Sequence, residues 1–255
     1  MAVYWLLFPL PALALLSPYR LSAGGQKLVW FLYALVFAVF IGFRHEIGAD
    51  WFNYEDHFHY IEQLSFVEAL EYGDPGYYGL SWLVSHWGGS LYLLNAICAV
   101  MVMAGVVVFA RTQPLPWLAF VAAVPYLIVV VAMGYTRQSA ALGLAMIGLA
   151  ALGQQRVVKF VVWVLLGALF HKSAVLLLPI AALAASQRRL WTWTWVAVTT
   201  TAGATLLLLD DSETLWKNYV EADYESQGGL IRVLMNAVPA LLFLMFRRRL
   251  RVRED

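Results

Sequence analysis

The feature that most limits how this chain can fold is a succession of nine apolar runs, most of them roughly 16 to 20 residues long with few charges. They fall at about residues 2–18, 27–43, 91–110, 115–133, 138–153, 158–170, 173–186, 194–209 and 231–246. A helix needs about 20 apolar residues to cross roughly 30 Å of hydrocarbon. The runs therefore predict an all-α polytopic integral membrane protein of about nine transmembrane helices. Residues 1–255 read as a single transmembrane domain, with no internal repeat and no dividing linker. The first run has neither a basic stretch before it nor a small-x-small cleavage site, so a retained helix is expected. The sixth and seventh runs are short and separated only by His171-Lys172, which predicts a tight hairpin or one broken helix.

Composition excludes the main alternatives. Of the residues 62% are hydrophobic and only 13% charged, against about half and about a quarter in soluble domains. That argues against a cytoplasmic enzyme and a disordered chain. The runs lack the polar–apolar alternation of a porin-like barrel. The single Cys98 lies inside an apolar run, so no internal disulfide can form.

A net charge of +1 says little, but the placement of charge says more. Odd-numbered loops and the tail hold twelve basic residues: Arg20, Lys27, Arg111, Arg156, Lys159, Arg188, Arg189, Arg247, Arg248, Arg249, Arg251 and Arg253. Even-numbered loops hold five basic residues against fourteen acids. Positive residues favour the cytoplasmic side, which predicts an N-terminus outside and a C-terminus inside. Trp191, Trp193 and Trp195 then read as an interfacial aromatic belt.

Two outer segments are long, 44–90 and 210–230. In the first, Phe52, Phe58, Ile61, Leu64, Val67 and Leu70 recur at near-helical spacing among acidic residues. This predicts an amphipathic helix in the outer interface, broken at Gly73-Asp74-Pro75-Gly76.

Four places could carry chemistry. The first is Arg44-His45-Glu46-Ile47-Gly48-Ala49-Asp50-Trp51-Phe52-Asn53-Tyr54. Arginine grips phosphate through a two-pronged fork, and glycine lets backbone approach a ligand. Asp50 could act as a base or as the arginine's partner; a solvated loop with one ion pair is the simpler reading. The second is Tyr135-Thr136-Arg137-Gln138-Ser139, in which Arg137 is the only charge between residues 112 and 155. Such a residue faces a polar cavity or snorkels to headgroups. The third is Phe170-His171-Lys172-Ser173-Ala174, where His171 is a proton carrier or a packing residue. Arg232 is the fourth, an anion contact or an interface anchor. The charge argument puts Arg44, Arg137, His171 and Arg232 on one face, and a cationic outward cavity suits a phosphorylated lipid.

Sharper motifs fail. His45-Glu46 lacks a zincin's second histidine, since position 49 is alanine. Two histidines at 57 and 59 diverge on a helix, so no metal site is expected there. There is no G-x-S-x-G or phosphate-cradling glycine loop, and nothing favours nucleic acid.

The ordered set Arg44-x-x-x-Gly48-x-Asp50-Trp51-x-x-Tyr54, Asp74-Pro75-Gly76-Tyr77, Arg137-Gln138-x-x-Ala141 and Phe170-His171-x-Ser173-Ala174 resembles the EpsG family. These are Wzy-like polymerases of bacterial exopolysaccharide and O-antigen. The resemblance covers about residues 28–235. The family usually has glutamate in place of Asp74, and its members continue with spans beyond Arg247, so C-terminal spans of the family are expected to be missing here.

The resemblance implies a GT-C-like, metal-independent glycosyltransferase in the bacterial plasma membrane, without a cofactor. It implies transfer of an oligosaccharide from undecaprenyl pyrophosphate to another lipid-linked repeat, with other polysaccharide assembly proteins as partners. Arg44 and Arg137, with Arg232 as a third, are expected to bind pyrophosphate. Asp50 or His171 is expected to be the base, supported by Gly48, Tyr54, Asp74 and Gln138. A flippase of lipid-linked saccharide, or a non-catalytic subunit of an export complex, is the competing expectation.

Overall fold

The structure, a computed structural model, describes residues 7–19, 21–48, 50–180 and 189–208, with further helical positions between 234 and 245. Every described element is a helix. α1 (Pro9–Leu16) is followed by α2 (Ala23–Gly42), whose first turn is capped by Ser22 Oγ accepting the Gly25 N–H at 3.2 Å. α3 (Trp51–Ile61), α4 (Phe66–Glu71) and α5 (Pro75–His86) fill the next segment. α6 (Leu91–Arg111) then leads to α7 (Pro116–Ala123), which continues as a π-helix over Val124–Ala132. α8 (Thr136–Gly153), α9 (Val157–Ala168), a 3₁₀ turn at Lys172–Leu177 and α10 (Arg189–Leu208) complete the order.

α2 and α6 are long and apolar enough to cross a membrane, and Pro116–Ala132 and α9 are shorter apolar helices. This set is compatible with a membrane protein. The apolar runs read from sequence coincide with described helices at α2, α6, α7 with its π continuation, α8, α9 and α10. The run at 173–186 begins as the 3₁₀ turn rather than an α-helix; residues 181–186 and most of 231–246 lie outside the described residues. Trp191, Trp193 and Trp195 all lie exposed on α10.

The segment 44–90 departs from its expected form. The sequence predicts one amphipathic helix up to the break at Gly73-Asp74-Pro75-Gly76; instead the chain stops α3 at Ile61 and restarts at Phe66. Ser65 and Glu68 form a capping box there, each side chain satisfying the other's backbone N–H, so the local hydrogen bonding favours a fresh start. The buried face of α3 is Trp51, Tyr54, Phe58 and Ile61, whereas Phe52 and Val67 of the expected stripe are exposed. The expected break at Gly73-Asp74-Pro75-Gly76 is present: α4 ends at Glu71, and Pro75 opens α5 at its first position, where a missing N–H costs nothing.

Packing is organised in three clusters. Trp30, Phe37 and Ile41 of α2 meet Val102 and Met103 of α6, with Phe120 and Ile128 from α7 and its π continuation. The aromatic face of α3 joins Tyr77 and Tyr78 of α5 on the ends of α6 and α8, through Leu94, Cys98 and Ala140. The third cluster unites α8, α9, the 3₁₀ turn and α10 around Phe160, Val164 and Leu178. α6 and α8 cross at Gly105 and Gly143. A methyl group added at either would overlap backbone of the other helix, so only glycine permits this approach.

The π segment has a local cause. Pro125, its second residue, has no N–H to give the preceding turn, and the ladder widens there. Its far end brings the Met133 carbonyl against Gly48, which sits at φ 105° where a side chain would both strain and collide. The chain falls into two units, Met1–Leu208 and Leu209–Asp255, and the architecture above belongs to the first.

Candidate functional site

Because α2 ends and α6 and α8 begin at the same end of the bundle, Arg44, Asn95 and Thr136-Arg137 are brought together there. The 44–90 segment packs on that end, and the turn after α9 adds His171. Its position is fixed by a backbone bond, the Gly76 N–H donating to the Leu169 carbonyl at 2.8 Å.

At the centre is Asp74, only 5% exposed. Arg137 Nη1 donates to its Oδ2 at 3.1 Å, and the Lys172 backbone N–H donates to Oδ1 at 3.3 Å. His171 Nδ1 lies 3.8 Å from Oδ2. One carboxylate thus ties α5, α8 and the turn after α9 into one constellation by charge-assisted hydrogen bonds. Sequence reading had given Asp74 a supporting part; the structure puts it in the middle.

Arg137 is about a third exposed, so its guanidinium reaches both the ion pair and the space outside it. Nη1 also donates to Tyr78 Oη at 3.3 Å, and the Arg137 backbone N–H donates to Tyr54 Oη at 3.4 Å. The guanidinium carbon stands 5.6 Å and 5.9 Å from the Tyr78 and Tyr54 ring centres, within cation–π range. Burial pushes the Tyr78 phenol up to about 12 against the opposing pull of Arg137, and burial raises Tyr54 likewise. Both phenols stay neutral. Tyr78 in turn lies 3.3 Å from His57 Nδ1. Burial, then the charge of Arg137, pushes His57 below its ordinary value, which favours a neutral ring in hydrogen-bond reach of the Tyr78 hydroxyl. His57 and His59 do part company, since His59 faces Glu62 at 3.9 Å instead.

Arg44 does not share this exposure. It is 4% exposed, and its guanidinium donates inward: Nη1 to the Ile41 carbonyl at 3.0 Å, Nε to the Ile47 carbonyl at 3.3 Å, and Nη2 to Thr136 Oγ1 at 2.6 Å. Thr136 Oγ1 passes the chain on to Asn95 Oδ1 at 3.3 Å. Arg44 therefore forms the wall behind Arg137 and fixes the start of α8. Among the described residues no carboxylate pairs with it. Around it Trp51 Nε1, Tyr77 Oη and Asn95 Nδ2 are buried without a partner among the described residues. The Arg44 charge adds a positive field to the site, strengthened by the N-terminus of α8.

Asp50 precedes α3 without capping it. Burial pushes its carboxyl above the usual carboxylate range, with Arg137 pulling the other way, so the two groups feel one another. Gln138 is half-buried in the first turn of α8, and Gly48 supports the loop from the π segment. Arg232 lies outside the described residues. Asn95, Tyr78 and His57 have no signal as site residues in the sequence, whereas Thr136 falls within the candidate stretch around Arg137.

Chemically, the arrangement offers a partly open guanidinium, a second cation behind it, a helix N-terminus and a half-buried carboxylate. Such a set binds an anion and can take a proton from a neighbouring hydroxyl. No curated protein and no solved structure matches the chain. A family model, that of the EpsG family, matches residues 27–255. That stretch takes in Arg44, Asp50, Asp74, Arg137 and His171 together, and with most of the sequence covered the chain belongs to the EpsG family.

Proposed function

We propose that this protein is a polysaccharide polymerase, a metal-independent glycosyltransferase of the bacterial plasma membrane. It joins undecaprenyl-pyrophosphate-linked oligosaccharide repeats on the outer face. Family membership supports an exopolysaccharide-related polymerase. The observation that carries the finer reading is the gathering of Arg44, Asp74, Arg137 and His171 at one end of the bundle around a partly exposed cation.

In this reading Arg137 binds the pyrophosphate of the donor lipid. Arg44 contributes through its field and by holding Thr136, rather than by contact. The hydroxyl of the acceptor sugar attacks the anomeric carbon of the donor. The new glycosidic C–O bond forms as the bond from that carbon to the pyrophosphate oxygen breaks, and undecaprenyl pyrophosphate leaves with the electron pair. The hydroxyl proton passes to Asp50 and from there to water. Fixed cations already facing the leaving oxygen stabilise the charge that develops on it. His171 is turned inward towards Asp74 and positions the ion pair.

The test is reconstitution. Purified protein in lipid vesicles, given lipid-linked repeats, should yield a ladder of lipid-linked polymer and release undecaprenyl pyrophosphate. If the vesicles merely move repeats between leaflets, as leaflet-specific labelling would reveal, the polymerase reading is wrong and transport replaces it.

The base has its own signature. Asp50 works only when ionised, and its folded pKa is raised. Activity should therefore fall as pH drops through a value raised above that of an ordinary Asp, and level off at higher pH. Asp50→Asn should lower the rate about 10²- to 10⁴-fold and remove that acid limb. His171→Gln should keep the limb. Retention of the limb in Asp50→Asn would take the proton-accepting role from Asp50.

A further inference from the structure

A row of aromatic rings runs outward from the ion pair. Tyr78, 3% exposed, touches Arg137. Its ring centre is 4.9 Å from that of Tyr72 at 88°, and Tyr72 is 5.3 Å from Tyr60 at 45°. His57 closes the inner part of the row, 5.7 Å from Tyr72 and 6.0 Å from Tyr78. Exposure rises along it, to 41% at Tyr72 and 48% at Tyr60. Three separate elements supply these rings: α3 gives His57 and Tyr60, the end of α4 gives Tyr72, and α5 gives Tyr78.

We propose that Tyr72 and Tyr60 form a saccharide-binding groove leading away from Arg137, with the chain of sugars lying along the row. The inference rests on the polymerase reading for the identity of the sugar and deepens it. Three points carry it. The row is continuous with the anion site, so a sugar attached to a pyrophosphate held at Arg137 would meet Tyr72 next. Its members are tyrosine and histidine rather than aliphatic residues; their ring faces suit the weakly positive C–H groups of a pyranose, and their polar atoms suit its hydroxyls. Finally, the row sits among carboxylates, with Asp56 beside His57 and Glu71 beside Tyr72. Such a neighbourhood accepts hydrogen bonds from hydroxyls and repels anionic lipid headgroups.

The experiment uses two readouts on the full chain in nanodiscs. The first is binding of free oligosaccharide, released by mild acid from the lipid-linked repeats of the producing cells, followed by saturation-transfer NMR. The second is the polymer ladder. Removing one stacking ring worth roughly 0.5–1.5 kcal/mol should weaken binding about two- to tenfold in Tyr72→Ala and in Tyr60→Ala. Tyr72→Phe should bind within about twofold of the parent, because the ring face remains. The ladder of both alanine variants should shift to shorter chains, with the first addition retained. Arg137→Gln should lose the ladder while still binding the free oligosaccharide.

The outcomes separate the two ideas. If the parent protein makes no ladder but binds the oligosaccharide in a Tyr72-dependent way, the groove stands and the polymerase reading falls. If the ladder forms normally and both alanine variants match the parent in binding and chain length, the groove is wrong. Alanine variants that bind normally but lose thermal stability in the nanodisc would make the row a membrane anchor and overturn the proposal.

Discussion

Replacing Arg137 with alanine should abolish long-chain polymer and leave single lipid-linked repeats exposed on the outer leaflet, with the protein still in the membrane. The loss in turnover should be about 10²- to 10³-fold, the effect of deleting one fixed donor aimed at developing negative charge. Two facts make the effect this large. Of the two arginines in the constellation Arg137 is the one partly open to solvent, since Arg44 spends its guanidinium on Ile41, Ile47 and Thr136. Deletion also strands Asp74, which is nearly sealed from water and would lose its guanidinium partner. Arg137→Lys keeps the charge but not the fork that serves Asp74 and a ligand together, so it should rescue little. Asp74→Asn separates the two contributions: it should impair the orientation of Arg137 without removing the cation, giving a smaller loss. A gel of lipid-linked products with leaflet labelling reads all three. A normal ladder from Arg137→Ala would remove this residue from the mechanism.

The second large effect concerns stability rather than chemistry. Gly143→Val should prevent accumulation of folded protein. At the crossing of α6 and α8 an added Cβ meets the backbone of Met101 and Val102, and backbone cannot turn aside as a side chain end can. Overpacking usually costs roughly 1–3 kcal/mol, and a backbone collision in a central helix pair belongs at or beyond the top of that range. Against a total stability of about 5–15 kcal/mol this is a large share. Gly105→Val should behave likewise, since it meets Gly143 from the other side. Gly153→Ala, near the end of α8 with open space around it, is the control and should leave the yield unchanged. Monodispersity and thermal stability of the detergent-solubilised variants would measure the difference. Folded Gly143→Val at parental yield would mean that the helices separate more cheaply than the packing indicates.

Parts of this molecule were legible in its sequence. Long apolar runs can satisfy their backbone hydrogen bonds only as helices in hydrocarbon, so α2, α6 and α9 announce themselves. Arg44, Arg137 and His171 were also legible, because a lone charge or imidazole next to such runs is costly and so conspicuous. The centre of the site was not. Asp74 stands in a Gly-Asp-Pro-Gly stretch that reads locally as a turn. Nothing within a few residues shows that its carboxylate meets a guanidinium 63 residues away. The face of α3 is only partly legible. Phe58 and Ile61 of the apolar stripe are buried, but the partner surface is built from Tyr77 and Tyr78, and it adds Trp51 and Tyr54 while Phe52 stays exposed. Arg44 was recognised by type, yet its direction depends on Thr136, which the chain reaches only 92 residues later. Contacts of that range are set by how the helices come together, and sequence periodicity carries no record of them.

Those same separations govern when the site can exist. Tyr54 waits for a bond 83 residues downstream, Asp74 for one 63 and another 98 residues downstream, and Arg44 for one 92 residues downstream. During synthesis the first 135 residues can enter the bilayer while Asp74 has no cation to meet and must stay hydrated. Only when the segment beginning at Thr136 and the turn at His171-Lys172 have arrived can the carboxylate be sealed. The ion pair can therefore close only after the last of these segments has been made. A chain that stops short of Thr136 has no assembled centre at all.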